Sequence, residues 1–503
     1  MSQINESAIR TPGVYVNEIP SFPPSIAQVA TAIPAFVGYT QIAQDLKGKS
    51  LTNKPTRITS MLEYELYFGK AQPETNIQIT YTQKKSGKTS TDTISIAFKG
   101  PKSRHNMHDA VRFFYANGGG AAYIVSVGPY KLSVGNALVL TDFFNDGMGV
   151  GLEAVAKEDE PTLIIFPEGQ NMVETNYYAL LGQALRQCGD LQDRFCIMDV
   201  YDTGENLVTS SDLTGAINNF RNGFASEFKN YGAVYFPNLR TVYSYEYDES
   251  ATTIVHMVDD GVNPPGPGYL NGRNLQELGV VPVLTSPPAP NFLNLSLYNA
   301  FKQALTNQFP ITLPPSPAVA GIYAAVDGSR GVWKAPANVG VLDVFETTFR
   351  ISDELQENLN IDATSGKSVN AIRAFTGKGI LVWGARTLDG NSNDFKYISV
   401  RRFFIMVEES TKKAVNAFVF EPNDGNTWIK VRAMIENYLT NLWRLGALAG
   451  SKPEQAFYVK VGLGQTMVFD DILNGRMIVE IGMAPVRPAE FIILRFSQIQ
   501  QKA

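Results

Sequence analysis

Residues 162–169 (TLIIFPEG), 177–190 (YYALLGQALRQCGD), 194–202 (RFCIMDVYD), 218–228 (NNFRNGFASEF) and 231–239 (YGAVYFPNL) follow one another in the middle of the chain. The first, third and fifth are short apolar runs, and the second and fourth are amphipathic. They read as strand, helix, strand, helix, strand. Strands that are apolar throughout are buried on both faces, which a parallel sheet covered by helices provides. The expected fold class is therefore a multidomain α/β and α+β chain with a mostly parallel sheet here.

Outward from this region the pattern changes. Residues 112–119 (RFFYANGG) read as a helix ended by glycine, and 121–128 (AAYIVSVG) as the strand that follows. Residues 31–40 (TAIPAFVGYT) read as a buried strand. Ile77, Ile79 and Tyr81, then Ile94, Ile96 and Phe98, alternate with polar residues on either side of KKSGK, which predicts a hairpin with one solvated face. Residues 260–320 are rich in Pro, Gly and Asn and read as loops and a domain connection, interrupted by a helix at 295–308. Beyond them, 379–387 (GILVWGART) reads as a strand, 400–414 (VRRFFIMVEESTKKA) as a helix and 417–424 (AFVFEPND) as a strand.

The last helix, with Asn426 as N-cap, carries an apolar stripe of Trp428, Val431, Ile435, Tyr438, Leu442 and Leu445, widened by Ile429, Met434, Leu439 and Trp443. On the opposite face Lys430, Asn437, Asn441 and Arg444 gather within about 60° of arc, with Lys430 and Arg444 roughly 21 Å apart.

Both ends carry apolar strand sequences. Residues 11–25 (TPGVYVNEIPSFPPS) have Val14, Tyr15, Val16 and Ile19 between Pro12 and the prolines at 20, 23 and 24, which remove backbone donors and disfavour a central sheet position. Near the other end, Phe491, Ile492, Ile493, Leu494 and Phe496 form a second such run.

At 503 residues the chain is expected to form roughly two to four domains. Its net charge of -5 argues against a nucleic-acid partner, since such proteins carry a strongly basic face. Residues 370–445 hold 11 Lys and Arg against 7 Asp and Glu, a local excess of positive charge that suits an acidic partner surface. The two cysteines, Cys188 and Cys196, are read as buried free thiols of a reducing compartment. Glu6, Arg10 and Pro12 interrupt any signal peptide, and prolines break the longest uncharged run, 279–301, so direct membrane insertion is not expected. The chain is expected to be made and folded in the cytoplasm.

No constellation of residues forms an active site, so no catalytic, cofactor or metal residue is assigned. The GK[ST] triplets at Gly48, Gly87 and Gly366 lack the upstream glycine of a phosphate loop, having Ala43, Thr82 and Ile361 there. GMGVG at Gly147 lacks the third glycine of a dinucleotide fingerprint. His105 and His108 read as a solvated helix start, and residues 389–394 (DGNSND) as a polar turn without the glutamate of a calcium loop.

Several ordered stretches together resemble the tail sheath proteins of contractile phages and related injection systems. They are TPGVYVNEI and TAIPAFVGYT near the start, AGIYAAVDGSRGVWKAPANVGV (320–341), YISVRRFFIMVEES (397–410), FEPNDGNTWIKVRAMIENYLTNLWRLGAL (420–448) and MAPVRPAEFIILRF (483–496). The resemblance implies a structural subunit, with no cofactor, that polymerises as stacked hexameric rings around an inner tube and contracts. It implies as partners other copies of the chain, the inner tube protein, and baseplate and terminal cap proteins. It also implies an inner domain built from an N-terminal linker strand (1–40) and the C-terminal part with its own linker strand (321–503). A β-rich insertion (41–104) and an α/β outer domain (105–320) would lie between them.

On that reading Val14, Tyr15, Val16, Ile19, Phe491, Ile492, Ile493, Leu494 and Phe496 exchange between subunits, and Lys430, Asn437, Asn441 and Arg444 touch the inner tube. The alternative is an α/β enzyme with a decorated C-terminal domain and an unidentified active site. It would form a small discrete oligomer instead of rings or tubes.

Overall fold

Strand Pro34–Thr40, buried at every position, runs through a nine-stranded sheet in the computed structural model of the chain, which describes residues 25–86, 89–202, 209–261, 265–279 and 294–494. From one edge the sheet order is Val339–Gly340, Gly379–Val382, Asn370–Phe375, Gly232–Phe236, Phe195–Asp199, Leu163–Ile165, Pro34–Thr40, Ala122–Pro129 and Thr56–Ile58. The six strands from Asn370–Phe375 to Ala122–Pro129 are parallel, and the outer ones are antiparallel. The chain leaves Pro34–Thr40 for Ala122–Pro129 on one side, then crosses back to Leu163–Ile165 on the other and winds outward. That reversal is the mark of a doubly wound sheet. The strands of the central run expected from sequence are buried on both faces, as their apolar make-up, interrupted at Asp199, requires.

Helices Met107–Ala116, Glu174–Leu191, Ser210–Gly223 and Ser316–Arg330 cover this sheet. Helix Ser316–Arg330 lies so close to the end of Met107–Ala116 that a Cβ on Gly321 would come within 2.5 Å of the Phe114 carbonyl oxygen. Asp199, at the end of its strand, caps the first turn of Ser316–Arg330 by accepting from the Ser316 amide at 2.8 Å and from its hydroxyl.

A second, four-stranded sheet pairs hairpin Ile77–Ser86 and Thr89–Phe98 with Thr253–Asp259, which runs parallel to the first of them, and with Gly266–Pro267. Its core joins Ile77, Ile79 and Tyr81 to Leu270, Leu275, Leu278, Phe301 and Leu305. The hairpin is as expected. The insertion is not confined to 41–104, however, because the hairpin's apolar face packs on Ile254 and on Leu270, Leu275, Leu278, Phe301 and Leu305, the last five in the stretch that composition marked as loops.

The described residues fall into two compact units, 30–405 with 487–494, and 25–29 with 406–486. These do not coincide with the expected boundaries. Residues 321–405 lie in the α/β unit because Asn370–Phe375 continues its parallel sheet beside Gly232–Phe236. The second unit contains helix Gly425–Arg444 and the antiparallel ribbon Phe457–Val461 with Val479–Met483. The N-cap of that helix is Asp424, which accepts from the Thr427 amide at 3.0 Å, and not Asn426. Residues 417–424 form no strand either. Asn416–Phe418 is a 3-10 turn, Phe420 is fully exposed with φ of 70°, and Pro422 lacks the amide a ladder would use.

Asp199 yields a test of the sheet's electrostatics. Its burial raises the carboxyl pKa to about 7 against the two Ser316 hydrogen bonds, which lower it. A raised folded pKa favours the protonated chain, so stability from this group is complete below about pH 4 and lost as pH rises to about 7, by at most ~4 kcal/mol. Asp199→Asn keeps the acceptor for the Ser316 amide and removes the charge. Thermal unfolding followed between pH 4 and 8 should decline less with pH in this variant than in the parent chain. An unchanged decline would show that Asp199 carries no part of it.

Candidate assembly site

In a doubly wound sheet ligands bind beyond the carboxyl ends of the strands at the reversal point, here beside Thr40 and Ile165. The chain's own side chains fill that place. Glu168 is fully buried, accepts from the Tyr39 amide at 2.9 Å, and lies 3.3 Å from His105 Nδ1. The Lys131 amide donates to His105 Nε2, so Nδ1 carries the proton that faces Glu168. His105 stacks on Tyr130. His108 is also buried, between Asp109 and Glu65. Burial disfavours its charged form, but the two carboxylates more than offset this and its pKa is raised. The expected solvated helix start is thus a buried polar cluster, because both rings have carboxylate partners within the fold.

The glycine motifs are occupied in the same way. The Gly147 and Gly149 amides donate to the Glu153 carboxylate, and the amides of Lys47 and Lys49, beside Gly48, donate to Asp45. Gly87 lies outside the described residues. Lys367, after Gly366, donates to the Arg221 and Phe224 carbonyls at the end of helix Ser210–Gly223. Its burial, with Lys229 and Arg221 nearby, lowers its pKa to about 8. Cys188 and Cys196 are buried free thiols, and burial raises both pKa values. Among the described residues no three His, Cys, Asp or Glu side chains are placed to hold a metal ion, and no helix is long and apolar enough to cross a membrane.

What stands open is apolar surface and unpaired strand. Phe491, Ile492, Ile493 and Leu494 are 68–79% exposed, four large apolar side chains in a row. They form no strand, contrary to expectation, because among the described residues no strand of their own chain lies beside them. Val14, Tyr15, Val16, Ile19 and Phe496 lie outside the described residues.

The segment before Phe491 is held at one residue. Glu490 takes a two-pronged ion pair from Arg386, at 2.7 Å from Nη2 and 2.9 Å from Nε, with further donors from Asn360 at 2.8 Å and Tyr397 at 3.3 Å. These donors hold the Glu490 pKa down against the opposing effect of burial. The chain near the other end is held similarly. Arg402 donates to the Thr31 carbonyl at 2.7 Å and to the Asp327 carboxylate, which also accepts from the Thr31 hydroxyl. Sequence reasoning passed over these residues. The signal for the second was Arg401 and Arg402 inside the otherwise apolar run 400–407 (VRRFFIMV), since such a charge has to find a partner when buried.

In the second unit the ribbon of Phe457–Val461 and Val479–Met483 has two strands among the described residues, paired from Phe457 with Met483 to Val461 with Val479. Val459 and Val461 are buried, and Tyr458 and Lys460 lie outward with Glu480. Such a ribbon is marginal by itself and presents unpaired edges. The loop between its strands exposes Leu463, Val468, Phe469, Leu473 and Ile478.

On helix Gly425–Arg444 the apolar face is narrower than expected. Val431, Met434, Ile435, Tyr438, Leu439 and Leu442 are buried, but Ile429 and Leu445 are more than 60% exposed. The indoles of Trp428 and Trp443 reach Asn423 and the Gly450 carbonyl. Lys430, Asn437, Asn441 and Arg444 are all exposed.

A family profile described as the phage tail sheath C-terminal domain matches residues 391–499. Among solved structures, the helical sheath of the anti-feeding prophage in its contracted state is 30% identical, with a TM-score of 0.60 over 97% of this chain and 99% of that one. The PVC sheath complex of an extracellular contractile injection system, also contracted, is 28% identical, with a TM-score of 0.60 over 97% and 98%. The tail sheath protein of Vibrio phage KVP40 is 24% identical over 185 residues, 37% of this chain. That match spans about a quarter (26%) of the phage protein's length.

Proposed function

Because this chain belongs to the family of contractile tail sheath proteins, we propose that it is the subunit of a contractile injection system sheath, a structural protein and not an enzyme. It polymerises as stacked hexameric rings around an inner tube, meets baseplate and cap proteins at the ends, and contracts to drive the tube through a target envelope. It is assembled in the cytoplasm as part of a phage tail-like particle.

The observation that carries this reading is the exposed run Phe491–Leu494. Burying four such side chains is worth roughly 6–12 kcal/mol in gross terms, at about 1.5–3 kcal/mol each. Ordering four backbone residues costs about 4–8 kcal/mol. A single docked arm is therefore worth little, and many arms docked along a lattice are worth much. The free edges of the ribbon Phe457–Val461 and Val479–Met483 in neighbouring subunits are the acceptors, and Val14, Tyr15, Val16 and Ile19 are donated with Phe491–Leu494 and Phe496. A heterologous contact of this kind, repeated without closing, builds a helical filament.

Domains 1–40 and 321–503 would then belong to the inner layer, with 41–320 outward, although the compact units of the isolated chain divide differently. Lys430, Asn437, Asn441 and Arg444 face the inner tube. The extended lattice itself stores the free energy of contraction, so no nucleotide is required.

Negative-stain imaging of the purified full chain tests this reading. Rings or tubes are expected. A uniform population of small discrete oligomers at every concentration would favour the α/β enzyme instead.

A further inference from the structure

The chain passes between its two compact units after Val29, after Ile405 and after Val486. Within four residues of each passage, on the side of the α/β unit, stands a member of one of two buried arginine clusters. Thr31 and Arg402 share the first with Asp327, and Glu490 belongs to the second with Arg386. The side chains of Arg402 and Asp327 are 3% and 7% exposed, and those of Arg386 and Glu490 are 7% and 21% exposed.

A buried ion pair is poor at stabilising a fold, because desolvation offsets most of its attraction. What it does well is fix geometry, since a planar guanidinium accepts a carboxylate in one orientation. Residues 487–494 have no helix or strand to fix them. Among the described residues of this segment, the hydrogen bonds to the α/β unit all converge on Glu490. The next four residues are the exposed apolar run.

We propose that Arg386 is a positioning residue for assembly: by gripping Glu490 it sets the point and direction at which Phe491–Leu494 leave the α/β unit to reach a neighbouring copy. This rests on the strand-donation reading above. Arg386 is also tied to the body of its unit. Its amide donates to Asn370 Oδ1 at 2.8 Å, and Asn370 Nδ2 donates to the Val234 and Arg386 carbonyls, so the grip is referred to the parallel sheet. Thr31, Asp327 and Arg402 form the equivalent hold at the root of the N-terminal segment.

The test uses the full chain in four forms: Arg386→Glu, Glu490→Arg, the double exchange, and a chain with Phe491→Ser, Ile492→Ser, Ile493→Ser and Leu494→Ser. Sheath yield is read by sedimentation and electron microscopy, and folding by thermal unfolding. Each single exchange should keep a cooperative unfolding transition and lower sheath yield at least about tenfold, equivalent to about 1.4 kcal/mol of association free energy. The double exchange should restore most of the yield.

Single variants that fold and assemble like the parent would overturn the proposal, as would a double exchange no better than the singles. Should Arg386→Glu not fold, Glu490→Gln, which removes the charge and keeps the shape, takes its place: it should lower the yield likewise, and normal assembly by it would overturn the proposal. The serine chain separates the two ideas. If it assembles normally, strand donation itself is wrong; if it fails while Arg386→Glu assembles normally, only the positioning role is wrong.

Discussion

A chain lacking residues 1–20 will fold and remain soluble but will not form long sheaths. The deleted stretch contains Val14, Tyr15, Val16 and Ile19, and its prolines keep it from a central sheet position. The deletion removes no strand of the nine-stranded sheet, whose first in the chain is Pro34–Thr40, and no residue of its core, whose first is Ile33. On the proposed strand exchange, the loss is a donated strand, with main-chain hydrogen bonds and roughly 1.5–3 kcal/mol of gross apolar burial per large side chain. The effect on polymer length is larger than this suggests, because every subunit in the lattice loses the same contact. Circular dichroism should show the parent's unfolding transition, and electron microscopy should show single rings or short stacks at most. Sheaths of normal length from the shortened chain would rule out strand exchange through the N-terminal segment.

Reversing Lys430 and Arg444 to glutamate should reduce sheath assembly on inner tubes severalfold and leave the fold intact. Both side chains are exposed on helix Gly425–Arg444 and lie on its polar edge with Asn437 and Asn441. Neither contributes to the buried face of Val431, Ile435, Tyr438 and Leu442, so the substitutions act on recognition. A single exposed charge contact is worth about 0–1 kcal/mol. Two reversed charges per subunit, repeated along a tube, convert a weak attraction into a repulsion that accumulates. Raising ionic strength should narrow the difference between parent and variant, because such contacts are screened over about 8–10 Å at moderate salt. Co-sedimentation with tubes measures this directly. Equal binding at low and high salt would leave the edge as ordinary solvated surface, with Ile429 and Leu445 its more significant members.

The parallel sheet was legible in the sequence because strands buried on both faces are apolar along their length, as 163–165, 195–198 and 232–236 are. Helix Gly425–Arg444 was legible for a similar reason, since its period survives over five turns. Its cap was misplaced by two residues because Asp424 and Asn426 are both good caps, and only the backbone decides between them. The strand expected at 417–424 failed because strand propensity without a partner is not enough. Val419 and Phe420 have no neighbouring strand to join among the described residues, and both are exposed.

The buried roles of His105 and His108 were hidden because Glu168 and Glu65 lie 63 and 43 residues away in the chain. The same distance concealed the grip of Arg386 on Glu490, 104 residues on. Long-range polar pairs leave no period to read, whereas an unpartnered apolar run does. Thus Phe491–Leu494 was noticed from sequence alone, although as a strand that the isolated chain does not form.

These features suit a subunit that is complete only among its copies. One unit has a large buried core around the nine-stranded sheet, and the other has a ribbon that is two-stranded among the described residues. On the function proposed above, contraction would be a change of lattice and not of fold, with the exchanged strands as its fixed points.

A cryo-EM reconstruction of the assembled sheath measures most directly whether the terminal segments complete the ribbon of a neighbour. Density for residues 14–19 and 491–496 paired with the strands Phe457–Val461 and Val479–Met483 of adjacent subunits is the predicted result. Terminal segments folded back onto their own chain, with the ribbon edges covered by something else, would contradict it.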